Sequence, residues 1–98
     1  TKEGPMKALK DLDLDHAKIT EHRPEGPVSG RIASYSFHGG GIRMRWRHGA
    51  FDRATQFRPQ SWRCEVDARE VRLVRTDEDP TIGCDFPGRS VNLYTIER

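Results

Sequence analysis

"SYSFHGGGIRMRWR", residues 34–47, is the stretch that decides how this chain folds. Three glycines, Gly39 to Gly41, separate two runs in which apolar and polar residues alternate. Period two is the mark of a half-buried strand, and glycines between two such runs mark a hairpin turn. With residues 38–41 as the loop, Phe37 faces Ile42, Tyr35 faces Met44 and Ala33 faces Trp46. On the opposite face Ser36 meets Arg43, Ser34 meets Arg45 and Ile32 meets Arg47. A slip of one residue would mix the two sets, so the pattern itself specifies the register. One face is apolar and fit for a core. The other carries Arg43, Arg45 and Arg47 on alternate residues.

Working outward, "MKALKDL" (6–12) predicts a short helical turn, with Met6 and Leu9 three residues apart. A strand is expected over 17–22, followed by a loop at "RPEGP", where two prolines and a glycine break a ladder. "AFDRATQF" is ambiguous. "SWRCEVDA" alternates Trp62, Cys64 and Val66 against Arg63, Glu65 and Asp67, a half-buried strand, and "REVRLVRT" reads as its bent continuation. "DEDP" reads as a turn, "TIGCDF" as a strand, "PG" as a turn and "SVNLYTI" as a last strand. Six or seven short strands with regular turn signals predict an antiparallel barrel or sandwich. At 98 residues the chain holds one core. Residues 1–14 read as an N-terminal tail or linker and residues 15–98 as the domain.

The net charge of +2 conceals a strong asymmetry. Residues 31–63 hold seven arginines and a single acid, Asp52, whereas the segments on either side are net acidic. Arginine is suited to forked recognition of phosphate or carboxylate, so an anionic partner is expected for the middle of the chain. Alternate residues on a strand lie roughly 6.5–7 Å apart, close to the separation of successive phosphates along a nucleic-acid backbone. Two other uses of the stripe are a solvated strand face and pairing with the acids of 65–79. No apolar run approaches the roughly 20 residues that cross a bilayer, and membrane insertion is not expected. Cys64 and Cys84 have no metal-type spacing and read as reduced core thiols of a cytoplasmic protein.

Other residues that could carry chemistry are sparse. Gly39 and Gly40 could cradle a phosphate through bare amides, or serve a turn that needs positive φ. His16, His22, His38 and His48 have no metal-ligand spacing. Asp77, Glu78 and Asp79 beside Pro80 read as a solvated turn. Trp46 and Trp62 are expected in the core, with exposed stacking on a base as the alternative. No nucleophile elbow, P-loop or dinucleotide fingerprint is present, and neither enzymatic activity nor a cofactor is expected.

The hairpin resembles that of PilZ domains, whose second strand reads Asp/Asn-x-Ser-x-x-Gly, here Ser34-x-Ser36-x-x-Gly39. "CEVDAREVRLVRTDEDPTIGCDFPG" is similar to the late strands of that family, with Ile82, Gly83 and Phe86 in its "IG-x-x-F" strand. The resemblance implies an all-β fold, a small six-stranded antiparallel β-barrel. It also implies a signalling role as a cyclic di-GMP receptor, or a degenerate relative acting through protein partners of motility, pilus or exopolysaccharide systems. Ser34 replaces the acidic or amide residue, and no R-x-x-x-R precedes the motif. By the resemblance the ligand-binding residues are Ser34, Ser36 and Gly39; the glycine run and the strand pattern add Gly40, Arg43, Arg45 and Arg47, since Arg43-x-x-x-Arg47 follows the motif and is not the family's arginine segment. The alternative is a small barrel that binds RNA or single-stranded DNA through its arginine-rich face. A third reading, a toxin-like ribonuclease, would use His38 or His48 with Arg43.

Overall fold

The computed structural model describes residues 2–4, 6–76 and 91–98. Its strands are β1 (Lys2–Gly4), β2 (Lys18–Arg23), β3 (Gly26–His38), β4 (Gly41–His48), β5 (Phe51–Phe57), β6 (Trp62–Val66), β7 (Glu70–Arg75) and β8 (Leu93–Glu97). A 3-10 helix spans Met6–Asp11, where the helical turn was expected. The strands form one antiparallel sheet in the order β1-β6-β7-β8-β2-β3-β4-β5.

The central hairpin forms as its alternation demands, with two differences. Gly39 and Gly40, at φ 57° and 82°, make a two-residue turn, and His38 already pairs with Gly41. Two consecutive positive φ values are what a type I′ hairpin turn requires. The loop is thus shorter than residues 38–41, while the pairs from Phe37↔Ile42 to Ser34↔Arg45 stand as expected. Below Ser34 the register shifts: Ile32 meets Trp46 and Arg31 meets Arg47, leaving Ala33 as a bulge. The expected pairs Ala33–Trp46 and Ile32–Arg47 are therefore not made. A regular ladder would strand Ile32 among the arginines. The extra residue instead turns Ile32 inward, where it is fully buried. Next to the bulge the strands pack so closely that a Cβ on Gly30 would lie 2.1 Å from the Arg47 carbonyl oxygen and 2.7 Å from the Trp46 ring.

Inner-face residues of β2 to β8 make the core: Ile19, Ile32, Ile42, Met44, Trp46, Phe57, Trp62, Cys64, Val71, Leu73, Tyr94 and Ile96. Met6, Leu9 and Leu14, from the segment set apart in sequence as a tail, are buried with them. Phe57, Trp62 and Tyr94 stack edge-to-face at centroid separations of 5.0–5.6 Å. These side chains join β5, β6 and β8 across the concave interior, so the sheet is held curled by packing.

Curling does not proceed to closure. The seven longer strands wrap through 188° as an open half-barrel whose edges come within 6 Å, with the three-residue β1 added beside β6. This overturns the closed six-stranded barrel, and with it the likeness to PilZ domains and the cyclic di-GMP site it implied. Two local readings account for the miscounted strands. "AFDRATQF" is a full strand, β5, paired only with β4 among the described strands. "REVRLVRT" does not continue β6 but reverses to pair with it as β7. The reversal is driven by Asp67, whose carboxylate accepts the backbone N–H groups of Arg69 and Glu70, each at 2.8 Å. Those two bonds hold its carboxyl below the usual range. The turn at Asp77, Glu78, Asp79 and Pro80, the strand with Ile82, Gly83, Cys84 and Phe86, and the "PG" turn lie outside the described residues.

Candidate functional site

Alternation along β4 buries Ile42, Met44 and Trp46 and turns Arg43, Arg45 and Arg47 to solvent. Ser36 and Ser34 of β3 stand directly opposite Arg43 and Arg45, also exposed, as the sequence pattern requires. On the other side of β4, Gln56, Ala54 and Asp52 face the three arginines in turn. The structure therefore brings Ser34, Ser36, Arg43, Arg45 and Arg47 onto one convex face. Gly39 and Gly40 lie at its end as turn residues.

Register adds residues that the sequence alone does not bring together. Lys18 of β2 pairs with Arg31 of β3, Arg31 with Arg47 of β4, and Arg47 with Asp52 of β5. A row of three cations thus runs across the sheet and meets the arginine row of β4 at Arg47. Like charges directly opposite one another on adjacent strands disfavour the sheet. The cross-row is capped at both ends by a carboxylate. Arg47 Nε lies 3.1 Å from Asp52 Oδ1, and Lys18 Nζ lies 3.9 Å from Glu97 Oε1. Arg31 donates to the His16 carbonyl at 3.3 Å. Arg43 and Arg45 form no ion pair with any described residue. Among the described residues the acids downstream do not reach the stripe: Glu65 lies 3.5 Å from Arg63 and 3.8 Å from Arg72, and Asp67 serves its own turn.

At the bulge the face dips into a shallow groove of about 360 Å³, lined by Ala33, Ser34, Arg45, Trp46, Arg47, Asp52 and Arg53. Arg53 is positioned from the inside. Its guanidinium lies 3.3 Å from Glu21 Oε1 and stacks 5.6 Å from the centre of the Trp46 ring. Among the described residues, Glu21 is the buried charged residue of the core. It also ion-pairs with Arg23, and its other oxygen accepts the Tyr94 hydroxyl at 2.5 Å. Burial and the neighbouring carboxylate push the Tyr94 hydroxyl pKa well up. Trp46 donates through Nε1 to Thr55 Oγ1 at 3.1 Å, so its polar atom is satisfied within the fold. Glu21 went unnoticed in sequence, although its place two residues after Ile19 puts it on the buried parity of β2.

The remaining candidates resolve simply. Trp46 and Trp62 are core residues, 1% and 8% exposed, so neither offers a ring for stacking on a base. Cys64 is buried as a free thiol, its pKa raised to about 11 by desolvation. His38 sits beside Ser36, Nε2 to Oγ 3.0 Å, while His48 donates from Nδ1 to the Ser29 carbonyl at the far end of β4. The two histidines flank the arginine row at opposite ends, and among the described residues no acid–base pair is assembled beside Arg43. Among the described residues no three His, Cys, Asp or Glu side chains converge as a metal site, and no helix is long and apolar enough to cross a membrane. Comparison of the chain with protein-family models, curated proteins and solved structures finds no match.

Proposed function

We propose that the outer face of β3 and β4 is a non-enzymatic binding surface for single-stranded nucleic acid, RNA or DNA, gripped by its phosphates. One observation carries this reading: Arg43 and Arg45 stand exposed and without an ionic partner among the described residues, on a face whose central acid is Asp52. Their spacing along β4, roughly 6.5–7 Å, follows successive phosphates. With Trp46 and Trp62 inside the core, contacts run to the backbone and recognition is sequence-tolerant. Ser34 and Ser36, opposite the arginines, add hydroxyl donors to phosphate oxygens. A cytoplasmic setting, where such strands are abundant and Cys64 stays reduced, fits this use.

Three phosphate contacts on a single strand give a salt dependence, log K against log [salt], of about −2. Fluorescence anisotropy of labelled ten-residue oligo(U) and oligo(dT) between 25 and 200 mM salt measures it. Replacing Arg43, Arg45 and Arg47 together by glutamine is expected to abolish binding while moving the thermal midpoint little, because exposed charges contribute little to stability. Binding that survives the triple substitution, or that does not respond to salt, would refute the reading. A stability loss above about 2 kcal/mol, beyond surface-charge effects, would assign the arginines to the fold.

A further inference from the structure

We propose that Phe51 is a stacking platform for one base of the bound strand, the base whose phosphate rests on Arg47. The inference rests on the nucleic-acid reading above and adds a base contact to it. Among the described residues Phe51 is the large hydrophobic side chain left in solvent, 69% exposed. A single exposed apolar side chain is ordinary on a protein surface; its position is what marks this one. Phe51 has the inward parity of Phe57, but it opens β5 at the end where the core has run out. Trp46, the last core residue of β4, pairs with Arg53, and Phe51 stands two residues nearer the turn, opposite His48. The ring is therefore at the rim of the sheet, at the Arg47 end of the arginine row.

The ring is both held and uncovered. Gly49, at φ 59°, leads the two-residue turn between β4 and β5, where a type II′ hairpin turn places glycine. Phe51 is thus a paired strand residue beside a tight turn. Directly opposed side chains on adjacent strands ordinarily pack together. Here His48 is drawn away, its Nδ1 bonded at 2.6 Å to the Ser29 carbonyl of β3, on the other side of β4 from Phe51. Phe51 forms no ring contact with any described residue, and every other described Phe, Tyr or Trp is buried or half-buried. Arg47 lies diagonally across from it, one residue before His48. On the β5 side of Arg47 stands Asp52, at 3.1 Å, which repels a phosphate but not an uncharged base. A strand anchored at Arg47 therefore turns its base, and not its backbone, over the end of the sheet toward Phe51. A cation track joined to an exposed ring is the combination that single-strand binding uses, and stacking tolerates any base because each has a π-face.

The test compares ten-residue oligo(dT) with an abasic strand of the same length and phosphates, each titrated with the full chain in low salt. Phe51→Ala is expected to bind oligo(dT) about tenfold more weakly than the parent, the effect of losing one stacked base. It should bind the abasic strand as the parent does, and its thermal midpoint should barely move, since the exposed ring supports little of the fold. Phe51→Trp places a reporter at the rim while Trp46 and Trp62 stay buried. Its emission should be quenched by oligo(dT) and not by the abasic strand. Undiminished affinity of the alanine variant for oligo(dT), or an equal loss for both strands, would overturn the stacking site and leave the phosphate reading intact. So would sedimentation in which the parent dimerises and Phe51→Ala does not, which would assign the ring to a second copy of the chain. Failure of both strands to bind the parent would overturn both readings.

Discussion

Replacing Glu21 by alanine tests how the interior of the half-barrel supports its outer face. The carboxylate is 4% exposed and has three partners: Arg23, Arg53 and the Tyr94 hydroxyl. Breaking a buried ion pair by removing one partner costs about 3–5 kcal/mol when the stranded charge cannot reach water. Here the Arg23 and Arg53 side chains are 26% and 35% exposed, so both can turn outward and recover part of their hydration. Tyr94 cannot, and its hydroxyl would lose its shortest hydrogen bond beside a newly opened cavity. The expected loss is about 2–4 kcal/mol, out of a total of about 5–15 for a domain of this size. Glu21→Gln keeps the shape and an acceptor for Tyr94, and should cost about 1–2 kcal/mol. Urea unfolding followed by tryptophan fluorescence measures both, since Trp46 and Trp62 are buried, and an unchanged slope would license the comparison. An alanine variant within about 0.5 kcal/mol of the parent, or a glutamine variant as costly as alanine, would refute the role given to this carboxylate.

Two further outcomes are expected. Trp46→Ala should destabilise by about 3–5 kcal/mol as a fully buried aromatic, whereas Arg45→Ala, one residue away on the outer face, should stay within about 0.5 kcal/mol; equal losses in urea would reverse the assignment of faces. Stability should also fall as pH rises above about 9, because unfolded Cys64 loses its proton near 9.0 while the folded thiol holds it to about 11, and the buried Tyr94 hydroxyl behaves likewise. The unfolded state then binds fewer protons, so unfolding free energy declines with pH, by roughly 2–3 kcal/mol at pH 10.5; urea midpoints that do not move between pH 8 and 10.5 would contradict this.

What could be read from the chain follows from which interactions are local. The β3–β4 hairpin was legible because Phe37, Ile42, Met44 and Trp46 alternate with serines and arginines on either side of a glycine turn. The strand β5 was hidden by its own function. Arg53 and Thr55 occupy inward positions where an apolar residue would have shown the period, because they serve Glu21 and the Trp46 indole. The break between β6 and β7 carries neither glycine nor proline; its signal was Asp67, a short side chain able to bond two amides of its own turn. Closure of the sheet depends on whether distant edges pair, and a hairpin resembling one family says nothing about edges. The arginine stripe was visible from spacing, but the row Lys18–Arg31–Arg47 exists only once three strands are in register.

Ala33 links the core to the site. Without the bulge, Ile32 would face outward against Arg47 and lose burial worth about 1.5–3 kcal/mol; with it, Ile32 enters the core and Arg31 takes its place opposite Arg47. Core packing demands the shift but does not demand arginine at position 31. A threonine, or a glutamate that paired with both Arg47 and Lys18, would satisfy the same backbone and relieve a like-charge contact on each side. The arginine instead adds a cation where the sheet already has one on either neighbouring strand. Folding alone gives no reason for that choice, since it weakens the sheet slightly. Under the function proposed above, an anion seated at Arg47 would supply one, because the repulsion among Lys18, Arg31 and Arg47 would be relieved on binding and would add to affinity.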